Sequence, residues 1–151
     1  MKIIQLLPVI FLSFVACSRP DKYSEARKIY EESTIIHDEL MPRLGEIMSL
    51  KHALKNKADS VNDPDLKNQF EGTIQSLDST YNNMMDWMAQ IQPVPVRKHE
   101  TEIEKTNITT DKIPDPDQML KIQRESLLKI KQIKSEFDKN LDRGNDLLRK
   151  I

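Results

Sequence analysis

The chain has 151 residues, a formal net charge of −1, 31% charged residues and only three glycines. This near-neutral balance excludes the large basic field that nucleic-acid binding requires, and a single cysteine excludes an internal disulfide framework. Abundant Lys, Glu, Leu and Ile with few glycines favour long helices, and the length favours one domain with a thin core.

The chain begins with the layout of a secretory signal peptide. Lys2 precedes a largely apolar run over residues 3–16, which is too short to span a bilayer because spanning needs about 20 apolar residues. Phe14, Ala16 and Cys17 then end the run. This ending resembles the bacterial lipobox, in which an apolar residue stands three positions before the cysteine and a small residue directly before it. The alternative is a small buried core cysteine.

The lipobox resemblance implies a lipid anchor. It implies cleavage between Ala16 and Cys17, a diacylglycerol thioether on the cysteine, and acylation of the new amino terminus. Each buried CH₂ contributes about 0.8 kcal/mol, and stable attachment takes more than one chain, so this anchor is sufficient. Residues 1–16 are then a signal peptide, 17–21 a lipidated tether and 22–151 the folded part, with a net charge of −2 once Lys2 is removed.

The first helix is predicted over residues 22–58, capped by Asp21 or Ser24. Its apolar residues recur every three or four positions, as one face of an amphipathic helix requires. Pro42 interrupts the pattern but falls opposite the apolar face, so we expect one kinked helix rather than two. The apolar positions are Ala26, Ile29, Tyr30, Ile36, Leu40, Leu44, Ile47 and Leu54.

Two Asp-Pro pairs predict the starts of the other helices, over residues 64–91 and 116–150. Asp63 and Asp115 are suitable N-caps, and the proline that follows each suits the first helical position. Between these helices, residues 92–115 are polar, charged and rich in proline. That composition predicts an extended, disordered linker rather than a binding segment.

Together the pattern predicts an all-α fold, an antiparallel three-helix bundle of long amphipathic helices. At 1.5 Å per residue each helix would be about 40–55 Å long. The third helix carries a sustained heptad pattern and cannot bury its apolar seam alone. Because few residues separate Cys17 from the first helix, one end of the bundle is expected close to the bilayer.

Catalytic motifs are missing from the sequence. It contains no nucleophile elbow, phosphate-binding loop or CxxC pair, and the one cysteine is assigned to the anchor. The many carboxylates fall on predicted solvent faces. We therefore predict that the protein is not an enzyme. These features assign it no catalytic residue, no cofactor and no metal.

The most distinctive chemical feature of the sequence is a cluster of methionine and histidine residues. On a helical wheel, His37, Met41, Met48 and His52 share one flank of the first helix, and the second helix offers three more methionines. Antiparallel pairing of the two helices would let His37 and Met41 approach Met84 and Met88. We call this set the Met/His cluster: His37, Met41, Met48, His52, Met84, Met85 and Met88.

Two interpretations of the Met/His cluster compete. Thioether and imidazole groups suit copper(I), and haem ligation is a less favoured variant of the same idea. Structural packing is the favoured interpretation, because methionine fills gaps in thin cores and packs well on aromatic rings.

The segments HDELMP, GEIMSLKHAL and MMDWM fall within residues 30–55 and 77–90. Together with the pattern of the last helix, they resemble a family of small helical lipoproteins of Bacteroidota. The resemblance implies a helical lipoprotein of the cell envelope and no particular activity. The positions it singles out for testing are His37, Asp38, Glu39, Met41, Pro42, Met84, Met85, Trp87 and Met88.

The sequence therefore predicts a lipid-anchored, non-catalytic binding or structural module of the bacterial envelope. Ser18, directly after Cys17, favours the outer membrane with the bundle facing the periplasm. Expected partners are membrane lipid and either an envelope protein or a second copy, with no nucleic acid. The alternative function is periplasmic copper binding or handling by the Met/His cluster, and a third is an envelope-stress adaptor.

Overall fold

The structure, a computed structural model, describes residues 21–95 and 114–150. Helix α1 spans Lys22–Leu40, a 3-10 turn covers Met41–Arg43, α2 spans Leu44–Ala58, α3 spans Pro64–Gln90 and α4 spans Pro116–Arg149. These residues contain no strand, which confirms the all-α prediction. The signal peptide, the cleavage site at Ala16 and Cys17, and residues 96–113 of the predicted linker lie outside the described residues.

Aspartate side chains cap three of the helices. Asp21, Asp63 and Asp115 each accept a hydrogen bond from backbone N–H groups two or three residues further on. These bonds satisfy donors that have no partner inside the first turn of a helix. Pro64 and Pro116 follow two of the caps at the first helical position, where a missing N–H costs nothing. The structure thus confirms the predicted starts and selects Asp21 over Ser24.

Helices α1 and α2 form one continuous rod across Pro42. Leu40, Met41, Arg43 and Leu44 all keep right-handed helical dihedrals, and the backbone tightens to a 3-10 turn between the helices. Pro42 itself is exposed, so its ring does not meet the core. The prediction of a single interrupted helix is confirmed, because a proline on the solvent side needs only one local adjustment of the ladder.

Salt bridges show that the α1–α2 rod runs parallel to α4. The paired residues are always 95 or 99 positions apart, so both helices advance in the same direction. Hydrogen bonds from α3 to α4 show the opposite relation, with numbers falling on one helix as they rise on the other. We call the first set the α1–α4 seam: Lys22–Asp117, Glu25–Arg124, Glu32–Lys131, Glu39–Lys134 and Arg43–Asp138.

The apolar core is divided into two clusters. The main cluster joins α2, α3 and α4 with the end of α1, and it includes Leu40, Phe70, Trp87 and Phe137. The smaller cluster lies at the end of the bundle where α1 and α4 begin. We call it the end cluster: Tyr23, Ala26, Val94, Met119 and Leu120.

The first residues of the predicted linker belong to the end cluster. Val94 is only 7% exposed, Arg27 Nη2 donates to the Pro95 carbonyl oxygen at 3.0 Å, and Gln123 Nε2 donates to the Gln92 carbonyl oxygen at 2.7 Å. The prediction of a disordered linker is therefore wrong for residues 92–95. Helix α3 ends before it reaches the start of α1, and this extended segment covers the apolar surface left between α1 and α4.

Arg43 links the 3-10 turn to α4. Its Nη1 donates to Asp138 Oδ1 at 2.9 Å, and its guanidinium lies 4.9 Å from the centre of the Phe137 ring. The hydrogen bond to Asp138, with the charge of Glu46, raises the pKa of Arg43 above its usual value. Because arginine is charged at every physiological pH, Arg43 holds the turn against α4 across that range.

The glycines provide a test of this packing. A β-carbon at Gly144 would lie 2.6 Å from Leu50 Cδ2, whereas one at Gly45 or Gly72 would meet nothing within 4 Å. We expect Gly144→Leu to destabilise the bundle by about 1–3 kcal/mol through overpacking. Gly45→Ala and Gly72→Ala should each stabilise it by up to about 1 kcal/mol, because alanine is the better helix former. Urea unfolding followed by circular dichroism measures all three. A tolerated Gly144→Leu would contradict the close approach of α2 and α4.

Candidate functional site

The candidate site forms where the last turns of α1 and α3 pass each other. The antiparallel register places His37, near the end of α1, beside Met88, near the end of α3. His37 Nε2 lies 3.1 Å from Met88 Sδ. The predicted approach of His37 to Met88 is confirmed, and we call this contact the His37–Met88 pair.

Neighbouring side chains contact one edge and one face of the histidine ring. Nδ1 of His37 lies 2.9 Å from Asp38 Oδ1. The Trp87 ring stacks on the imidazole with a centroid separation of 5.6 Å and an interplanar angle of 28°. The His37 side chain is 22% exposed and Met88 is half-buried, so the pair lies at the margin of the core.

Trp87 is itself held firmly. It is 3% exposed, and its Nε1 donates to the carbonyl oxygen of Ser126 on α4 at 3.0 Å. The indole therefore joins α3 to α4 while its face supports His37 on α1. A buried tryptophan whose N–H is hydrogen-bonded is held in one orientation, since rotation of the ring would break that bond.

The other members of the Met/His cluster are spread over different environments. Met84 is fully buried in the main cluster, and Met85 packs against that cluster while half-buried. Met41 and Met48 are 37% and 49% exposed. His52 is exposed, and its Nε2 lies 3.2 Å from Asn56 Nδ2.

Met41 and Met84 lie in different environments, because Met41 is 37% exposed and Met84 is fully buried. Met84 occupies a core position, in the series of buried residues that continues through Leu77, Thr80 and Trp87. Met88 lies one position beyond Trp87, on the flank that faces α1. Met84 is fully buried in the main cluster, Met88 packs against that cluster while half-buried, and the seven residues do not share one environment.

Sequence reasoning missed the support that Trp87 and Asp38 give to His37. The MMDWM and HDELMP segments contain both residues, but their contact with the imidazole depends on helix rotation. Trp87 can stack on His37 only if α1 and α3 are aligned along their axes to within about one helical turn. Amphipathic periodicity alone does not determine that alignment.

The described residues also contain an open groove between α2 and α3 near Lys51 and another beside Trp87 between α3 and α4. In the first groove Lys51 pairs with Asp78. No group of three or more His, Cys, Asp and Glu side chains that could share a metal ion occurs in residues 21–95 and 114–150. None of the helices in the described part of the chain has the apolar length needed to cross a membrane.

Compared with known protein families, curated proteins and solved structures, the chain matches none of them. The case for a function therefore rests on the residues themselves.

Met84 and Met48 offer a matched test of the two environments. We expect Met84→Ala to lower the free energy of unfolding by about 2–5 kcal/mol, because it opens a cavity in the core. Met84→Leu should cost less than about 1.5 kcal/mol, since it conserves volume. Met48→Ala should change stability by no more than about 0.5 kcal/mol because its side chain is exposed. Urea unfolding curves measure each value, and a harmless Met84→Ala would contradict the burial of Met84.

Proposed function

We propose that this protein is a lipid-anchored, non-catalytic binding module of the bacterial cell envelope. In this proposal Cys17 carries the lipid, and the helical bundle faces the periplasm from the outer membrane. The single observation that carries the proposal is the position of the first helix relative to Cys17.

Helix α1 begins at Lys22, and its N-cap Asp21 is only four residues after Cys17. An extended chain of that length reaches about 14 Å, so lipid on Cys17 would hold this end of the bundle near the membrane. Helix α4 begins at the same end, and its 34 residues give a rod of about 51 Å. Such a rod would project binding surfaces well away from the bilayer.

The ends of the segment between α3 and α4 strengthen this arrangement. Arg27 donates to the Pro95 carbonyl, and the Tyr23 hydroxyl donates to the Pro114 carbonyl oxygen at 2.8 Å. Both donors lie in the first turns of α1. Hydrogen bonds from α1 to both ends of that segment therefore hold together the end of the bundle where α1 begins. An attachment point near the membrane requires such a rigid end.

Three buried hydroxyl groups are engaged within their own helices. Ser33, Thr73 and Thr80 each donate to a backbone carbonyl four residues earlier in their own helix. Such bonds satisfy a buried hydroxyl inside a helix and engage its proton. None of these three hydroxyls is hydrogen-bonded to a histidine or carboxylate that could activate it.

Exposed apolar side chains offer contact points for a partner. Ile35 and Leu128 are 68% and 69% exposed, and Met48 is 49% exposed. The partner in this proposal is an envelope protein or a second copy of the chain. A soft-metal role is the second candidate function, favoured by the His37–Met88 pair.

The anchor is tested by Cys17→Ser. We expect the variant to lose incorporation of a labelled fatty acid and to leave the membrane fraction, because the thioether cannot form on serine. Ser18→Ala is the matched control and should retain both the label and the membrane association. Full labelling of Cys17→Ser in growing cells would refute the anchor.

Partner binding is tested by photocrosslinking in intact cells. A photoreactive residue at position 35, 48 or 128 is expected to give at least one discrete adduct, identified by mass spectrometry. The same residue at the exposed polar positions Gln75 and Asn82 is the control and should give none. If positions 35, 48 and 128 yield no adduct above these controls, the binding role is contradicted.

A further inference from the structure

Each ring nitrogen of His37 faces a hydrogen-bond acceptor, Asp38 at Nδ1 and Met88 at Nε2. An ionised carboxylate only accepts hydrogen bonds, so Asp38 selects the ring tautomer with hydrogen on Nδ1. In the neutral ring Nε2 then carries a lone pair. That lone pair faces Met88 Sδ, which is also only an acceptor, at 3.1 Å. With this tautomer, a favourable contact needs either a proton on Nε2 or a cation between the two atoms.

A proton on Nε2 would satisfy the contact, and so would a soft cation. We propose that His37 Nε2 and Met88 Sδ are two ligands of a binding site for copper(I). Imidazole and thioether suit this ion, whereas zinc sites in proteins use thiolate, imidazole and carboxylate. Asp38 would act as a positioning residue, because a carboxylate on the far nitrogen fixes the tautomer and orientation of a metal-bound histidine.

The geometry requires only a small adjustment. With metal–nitrogen and metal–sulfur lengths of about 2.0 and 2.3 Å, the present separation gives an angle of about 90° at the metal. Opening that angle to about 110–120° moves the ligands apart by about half an ångström. Met88 is half-buried and has a flexible thioether chain, so it can supply this movement.

Two further methionines can complete the coordination. Met41 is four residues after His37, and Met85 is three residues before Met88. Both spacings place the residue one turn away on the same side of a helix. Met41 is 37% exposed and Met85 is half-buried, so neither is locked into the core as Met84 is.

Trp87 shapes the site in two ways. Its stacked ring excludes water from one face of His37, and a tryptophan face attracts a nearby cation. As the one tryptophan of the chain, it also reports on the site by its fluorescence. This metal site goes beyond the proposed tether and does not depend on lipid, so the two can fail separately.

The test is an anaerobic copper(I) titration against a chromogenic chelator. It uses the full mature chain from residue 17 with Cys17→Ser, so that no thiol competes for the metal. We expect one equivalent to bind with quenching of Trp87 fluorescence. Met88→Leu and His37→Gln should each weaken binding at least tenfold, whereas the matched controls Met48→Leu and His52→Asn should bind like the parent.

Nitrogen-15 NMR of His37 separates the role of Asp38 from simple packing. Metal on Nε2 with hydrogen on Nδ1 is the expected signature, and Asp38→Ala should mix the tautomers and weaken binding about 10–100-fold. Circular dichroism confirms that each variant is folded. Failure of the parent to bind copper(I), tighter binding of zinc than copper(I), or unchanged affinity in folded Met88→Leu and His37→Gln would each overturn the site.

Discussion

The continuity of the helix across Pro42 is the constraint on which the bundle depends. With Pro42 on the solvent side, buried residues on α1 and α2 keep one spacing of three and four positions, through Leu40, Leu44 and Ile47. A break there would let the two helices rotate independently, and they could not both pack against α4 in one register. The 3-10 turn and Arg43 protect this continuity, since Arg43 fastens the turn to Asp138.

The α1–α4 seam determines the register of this packing more than its strength. Exposed ion pairs contribute about 0–1 kcal/mol each, so the apolar clusters supply most of the stability. The seam instead penalises other alignments, because acidic residues on α1 meet basic residues on α4 at a nearly constant offset. Charge patterns at the edges of an apolar stripe select partners in coiled coils in the same way. A parallel α1–α4 pair then requires α3 to return antiparallel, which brings Met88 to His37.

The sequence predicted the features that depend on local chemistry and periodicity. The caps at Asp63 and Asp115, the continuous first rod and the approach of His37 to Met88 follow from capping rules and antiparallel pairing. The burial of Val94 was missed, because proline-rich composition shows that a segment is not helical but not what it covers. The sequence also could not show that Met84 lies in the core whereas Met88 contacts His37. Their roles differ by a modest rotation of α3, which is set by the packing of Trp87 against α4.

The position of the His37–Met88 pair fits the division of the core. Between the end cluster and the main cluster, α1 and α4 bury the polar residues Ser33 and Gln123, so apolar packing is interrupted there. A histidine placed deep in the main cluster would cost several kcal/mol in desolvation unless every polar atom found a partner. At the margin of that cluster His37 keeps Asp38 on its outer side and Trp87 and Met88 on its inner side. The bundle can therefore hold a soft, cation-seeking pair there while the main cluster keeps its apolar packing.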